Sequence, residues 1–134
     1  MATVTTIEGI GAATARKLKK VGIGSTEKLL EVCCEPQGRE RIAREARIDE
    51  RKLLRLVNHA DLMRVKGVGG EFAELLEASG VDSIPELARR DAGNLVVKLH
   101  EVNDAKKITR RLPSEKQVVG WIKAAGRLEP MVSH

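Results

Sequence analysis

Two short glycine turns decide the fold predicted for this chain: Ile7-Glu8-Gly9-Ile10-Gly11 and Val65-Lys66-Gly67-Val68-Gly69. Each turn places one apolar residue between two glycines, and an alanine follows four residues after the second glycine, at Ala15 and Ala73. Glycine permits a tight turn and a close approach of another backbone. The pattern therefore predicts two short turns, each leading into a helix whose small alanine allows a neighbouring helix to pack closely.

The sequence after the first turn repeats after the second. Residues 7–31 align with residues 65–89, so that Gly9, Gly11, Ala15, Leu18, Gly22, Ser25 and Leu29 fall on Gly67, Gly69, Ala73, Leu76, Gly80, Ser83 and Leu87. Residues 49–57 likewise resemble residues 114–122, and both segments begin with a residue suited to cap a helix. Because the identities fall at turns and apolar positions, we expect an internal duplication with halves at residues 1–60 and 61–134, which either share one core or form two lobes.

Local signals predict helices throughout. Glycines close the first helix of each half, and Ser83 with Glu86 forms a capping-box pattern that opens a helix to about Arg90. Ser25 should cap the equivalent helix, and both Pro36 and Pro113 are expected between elements. The remaining helices are predicted at residues 12–21, 37–46, 70–79 and 94–102. Since no alternating strand pattern is present, the expected fold is all-α: a duplicated multi-helix unit with SAM-like helical-bundle packing.

Composition narrows the class of protein. The net charge is +5, which admits a polyanionic partner without requiring one. No apolar run approaches the length of a membrane span, and the N terminus has no signal-peptide pattern, so a cytoplasmic protein is expected.

Cys33 and Cys34 are adjacent, so pairing them would strain the backbone; at least one is expected to be a small buried residue.

The glycine turns are the candidate binding site. Each helix that follows leaves its first amides without intrahelical partners, and these amides with the helix dipole attract anions such as phosphate. The candidate nucleic-acid-binding residues are Gly9, Ile10, Gly11, Ala12, Arg16, Lys17, Lys19, Lys20, Lys66, Gly67, Val68 and Gly69.

Charge distinguishes the two turns. The first is followed only by cations, Arg16 to Lys20, which suit phosphate but are also typical of a solvated helix face. The second is followed by Glu71, Glu74 and Glu77, which would repel phosphate and favour a structural or protein-facing role.

Two further groups of cations occur in the chain. The cations from Arg39 to Arg55 alternate with acids, which favours a salt-bridged surface. Lys106, Lys107, Arg110 and Arg111 have no acid among them, so they either touch a phosphate backbone or form an exposed loop.

The two turns resemble the helix-hairpin-helix motif of DNA-repair and recombination proteins. In those proteins the hairpin amides hold DNA phosphates without reading sequence, often in tandem pairs. The wider chain, including residues 56–65 and the segment from Arg111-Leu112-Pro113 to Trp121-Ile122, also resembles an uncharacterised bacterial family that contains this motif. That second resemblance implies no established activity.

Nothing in the sequence indicates catalysis. His59, His100 and His134 are scattered, no metal-ligand spacing or Walker-type phosphate loop is present, and no cofactor, metal or small-molecule substrate is expected. Phe72 and Trp121 are expected in the core, so the chain lacks the aromatic platform that single-strand binders use. The sequence therefore predicts a non-enzymatic protein that binds duplex DNA without sequence specificity, or alternatively a protein-interaction or scaffold module.

Overall fold

The computed structural model describes residues 2–134, and within that range it contains eight α-helices and no strand. A short 3₁₀ helix at Val4–Thr6 precedes them, and one isolated antiparallel bridge pairs Thr3 with Ser25. The helices are α1 (Ala12–Lys20), α2 (Thr26–Cys33), α3 (Pro36–Ala46), α4 (Glu50–Leu62), α5 (Gly70–Ala78), α6 (Ile84–Ala88), α7 (Ala92–Lys106) and α8 (Glu115–Arg127). The all-α prediction is confirmed.

The chain divides into two compact units. The first unit contains the chain up to Asp61 together with Met131–His134, and the second unit is Leu62–Pro130. Leu18, Leu29 and Leu53 are fully buried in the first unit. The core of the second unit is formed by aliphatic side chains, most of them on α5 to α8, and by Trp121, against which Phe72 packs at a ring-centroid distance of 5.1 Å.

The same backbone hydrogen bonds recur in the two units. The amide of Ile10 donates to the carbonyl of Ile7, as that of Val68 does to Val65. Beyond the turns, the amide of Ile23 donates to Leu18 and that of Val81 to Leu76. These bonds fall at aligned positions of the repeated sequence, so the two segments share local backbone structure as well as residue pattern.

Side-chain caps mark the starts of several helices. The hydroxyls of Ser25 and Ser83 accept hydrogen bonds from the amides of Lys28 and Glu86, as expected of N-cap residues. Ser114 and Gln117 form a complete capping box at the start of α8. Each cap satisfies an amide that the helix cannot pair itself, which fixes where the helix begins.

Three local expectations are corrected by the structure. Pro36 does not lie between elements but occupies the first turn of α3, where its missing N–H costs nothing. Glu86 does not complete a capping box, because its carboxylate pairs with Arg89 and Arg90 at 2.9 and 3.3 Å, and α6 ends at Ala88. Helix α7 spans Ala92–Lys106 and is therefore longer than the predicted 94–102. It stops where Lys107 adopts a left-handed conformation and caps the C terminus of the helix.

Arg39 also departs from expectation, because it is not part of a salt-bridged surface. It is 6% exposed, and its guanidinium donates to the carbonyls of Cys33, Cys34 and Ser133 at 3.0, 3.1 and 2.7 Å. These carbonyls lie at the C-terminal end of α2 and in the C-terminal segment, where main-chain acceptors lack helical partners. Of the i,i+4 pairs predicted for this stretch, Arg41–Glu45 is present at 3.8 Å.

Candidate anion site at the first glycine turn

The first glycine turn, residues 7–11, is held by its apolar residues and open at its glycines. Ile7 and Ile10 are buried, whereas Gly9 and Gly11 are exposed. Both glycines have positive φ, 76° and 79°, and a Cβ placed on either would meet no atom within 4 Å. The turn therefore presents bare backbone to its surroundings.

Helix α1 begins at this turn without a side-chain cap. Its N-cap is Gly11, which has no side chain to accept from the helix. The amide of Ala15 makes the first backbone hydrogen bond of α1, to the carbonyl of Gly11 at 3.1 Å. Among the residues that the structure describes, none accepts from the amides of Ala12 or Ala13, and both residues are exposed. These donors sit at the positive end of the helix dipole and are available to an anion.

Three of the predicted cations share a face with those amides. Arg16, Lys19 and Lys20 are exposed, and at 100° per residue they lie on the same side of α1 as Ala12 and Ala13. No carboxylate of residues 2–134 forms a salt bridge with any of the three. Their positive charge is therefore not neutralised by a neighbouring acid.

The fourth cation has a structural partner. Lys17 donates from Nζ to the carbonyl of Arg47, 3.2 Å away, at the left-handed residue that ends α3. Its ammonium still carries charge near α1, but it also satisfies a carbonyl at a helix end.

One further cation at this site, Lys52, is not indicated by the sequence. Lys52, on α4, donates from Nζ to the Thr14 hydroxyl at 2.9 Å, which places its ammonium beside the first turn of α1. The sequence interpretation assigned Lys52 to a salt-bridged surface because acids surround it in the chain. Only the packing of α4 near α1, a contact between distant parts of the chain, reveals its position.

The second glycine turn, residues 65–69, differs from the first in three respects. Gly69 has an extended backbone, with φ of −91°, so it does not need to be glycine for its conformation. Trp121 approaches Gly67, with the indole Nε1 3.2 Å from where a Cβ would lie. Glu71 lies in the first turn of α5, and Lys66 is the nearby exposed cation. The second turn is thus more enclosed and more acidic than the first.

The described part of the chain contains no group of three or more His, Cys, Asp or Glu side chains that could hold a metal ion. Between residues 2 and 134, no helix has the length and apolar character that crossing a membrane requires.

These observations define an all-helical protein with two compact units and with an exposed first helix start that has no side-chain cap. A family model described as "Domain of unknown function (DUF4332)" matches residues 8–128, which span nearly all of both units. The chain therefore belongs to this family. No curated protein and no solved structure matches it.

Proposed function

We propose that this protein binds duplex DNA without sequence specificity through the first glycine turn, and that each unit contains a helix-hairpin-helix. The observation that carries the proposal is the exposed start of α1, where the free amides of Ala12 and Ala13 share a face with Arg16, Lys19 and Lys20. Backbone amides and flanking cations suit phosphate oxygens, which every DNA sequence presents alike.

The recurring hydrogen bonds support the duplicated motif. In both units a buried apolar pair spans a glycine turn, and a helix begins immediately after the second glycine. Lys52 adds a further cation beside the first turn of α1. Duplex rather than single-stranded DNA is proposed, because Trp121 is buried and Phe72 packs against it, which leaves no exposed aromatic platform for unstacked bases.

The test is a salt series of duplex affinities. Fluorescence anisotropy would follow binding of a labelled random-sequence duplex to the native chain and to a Lys19→Glu, Lys20→Glu variant. Each lost phosphate contact lowers the magnitude of the slope of log K against log salt by about 0.9. We expect the variant to lose at least about tenfold in affinity at low salt, with a shallower slope.

A matched control reverses two exposed lysines of the second unit, Lys98→Glu and Lys123→Glu, and thus changes net charge equally. Equal losses in the two variants would show that only net charge matters, and absence of binding by the native chain at low salt would overturn the proposal.

The second candidate function is a protein-interaction module, favoured by the second glycine turn. Trp121 lies against Gly67, and Glu71 begins the acidic face of α5, an arrangement unsuited to phosphate. A partner recovered with the chain after nuclease treatment, and lost on Glu71→Lys, Glu74→Lys substitution, would support this function.

A further inference from the structure

The end of α7 and the start of the loop that follows it, residues 106–111, carry a dense group of cations. Lys106, Lys107, Arg110 and Arg111 are all exposed, and no acid occurs between them. Asp104 pairs with Lys107 at 3.7 Å, and both side chains are more than three-quarters exposed, so this pair neutralises little charge. Of the described carboxylates, none pairs with Lys106, Arg110 or Arg111.

The backbone of this loop is held in place by the helix before it. Asn103 is buried and uses both ends of its amide on one residue: Nδ2 donates to the Thr109 carbonyl at 2.9 Å, and Oδ1 accepts from the Thr109 amide at 2.8 Å. Farther along, His100 donates from Nε2 to the carbonyl of Pro113 at 3.0 Å, and Pro113 is itself buried. Ile108 packs against the core of the second unit.

This arrangement is more specific than a solvated run of charge. A flexible basic loop would lose conformational entropy on binding, whereas a loop already fastened by Asn103 and His100 presents its cations at a smaller entropic cost. Arg110 and Arg111 bring planar guanidinium groups that can bind phosphate oxygens in pairs. Since the exposed cations are spread over residues 106–111, a polymer of phosphates offers each of them an acceptor, which a single small anion does not.

We infer that the last residue of α7 and the α7–α8 loop form a second phosphate-backbone contact for duplex DNA, made by Lys106, Arg110 and Arg111. The inference rests on the proposed function for the class of ligand, but it uses residues of the second unit and none of the first glycine turn. It assigns the nucleic-acid role of the second unit to this loop and not to the acidic turn at Gly67.

The experiment compares two full-length variants that each lose three positive charges from the second unit. The loop variant is Lys106→Gln, Arg110→Gln, Arg111→Gln; Lys107 is kept because it forms the left-handed cap of α7. The control variant is Lys98→Gln, Lys123→Gln, Arg127→Gln, all exposed positions on α7 and α8. Circular dichroism and thermal unfolding would verify that both variants fold like the native chain.

Affinity for a labelled random-sequence duplex would be measured across a salt series. We expect the loop variant to lose about tenfold or more in affinity at low salt and about two to three from the magnitude of the salt slope, at roughly 0.9 for each phosphate contact. The control should lose less than about threefold. A loop variant that matches the control overturns the inference.

The Lys19→Glu, Lys20→Glu variant separates this inference from the proposed function. If it weakens binding and the loop variant does not, the first glycine turn stands and the loop contact is overturned. The reverse result supports the loop and overturns the first turn as the DNA site. Failure of the native chain to bind duplex at low salt overturns both.

Discussion

Single glycines show that the two related turns are under different backbone constraints. Gly11 combines φ of 79° with ψ of 149°, a region that is essentially restricted to glycine, whereas Gly69 is extended. We expect Gly11→Ser to lower the free energy of unfolding by about 1–3 kcal/mol, because serine must adopt a strained conformation there. Gly69→Ser should be neutral or stabilising by about 0.5 kcal/mol, because serine is a good N-cap. Urea unfolding of the two variants measures the difference, and equal effects would contradict it.

The two adjacent cysteines are expected to differ in reactivity. Cys33 is fully buried, and desolvation raises the pKa of its thiol to about 11 despite the opposing effect of Arg39 and Arg41. Cys34 is only partly buried. Because the thiolate is the reactive form, a thiol reagent at pH 8 should modify Cys34 quickly and Cys33 only after unfolding. A Cys34→Ser variant should therefore lose the fast phase, and a fast phase that persists would contradict the assignment.

The same raised pKa predicts how stability depends on pH. The unfolded Cys33 thiol ionises near its ordinary value of 9.0, whereas the folded thiol stays protonated until about 11. Ionisation therefore favours the unfolded state, so the Cys33 contribution to the free energy of unfolding should decline as pH rises from about 9 to about 11. Urea unfolding of the native chain and a Cys33→Ala variant across this range checks it. A native chain that loses no more stability than the variant would contradict it.

Helix α3 is in close contact with α2 at a glycine, Gly38, in addition to its apolar contacts. A Cβ on Gly38 would collide with the carbonyl oxygen of Val32, a backbone atom that cannot rotate away. We expect Gly38→Ala to destabilise the chain by about 1–3 kcal/mol, although alanine is the better helix former.

A glycine elsewhere provides the control for this substitution. Gly120 lies inside α8 with open space around it, so Gly120→Ala should stabilise by roughly 0.5–1 kcal/mol through helix propensity alone. Thermal unfolding of both variants gives the two signs. A stabilising Gly38→Ala would show that α2 and α3 do not pack as closely as the structure indicates.

The elements differ in how well the sequence predicts them, and the difference follows the range of the interactions. The Ser25 cap and the glycine that closes α1 act within a few residues, so the predicted and observed helix positions agree closely there. The extent of α7 depends on Lys107, a residue that gives no glycine-like signal for a left-handed cap. The positions of Lys52 and Arg39 depend on partners at Thr14 and Ser133, far away in the chain, and no local pattern encodes such contacts.

At the scale of the whole chain, the first unit is built from two separate segments of the sequence. Met131–His134 follow the second unit in sequence but belong to the first. The amide of Ser133 donates to the carbonyl of Cys34 at 2.8 Å, and its carbonyl accepts from Arg39. His134 donates from Nε2 to the Asn58 amide oxygen at 3.2 Å. The last four residues therefore supply partners to buried polar groups of the first unit.

Deletion of residues 131–134 tests this dependence. It removes an acceptor from the buried Arg39 guanidinium and a donor from the buried Asn58 side chain, and leaving such groups unsatisfied costs about 1–3 kcal/mol each. Hydrogen exchange should therefore accelerate around α2, α3 and the last turns of α4, and stay unchanged in α5 to α8. Ser133→Ala keeps the main-chain bonds and removes only the hydroxyl contact to Cys34 at 3.4 Å, so it should change little. Equal acceleration in both units would show that the segment stabilises the chain as a whole, and no acceleration would show that Arg39 and Asn58 do not need it.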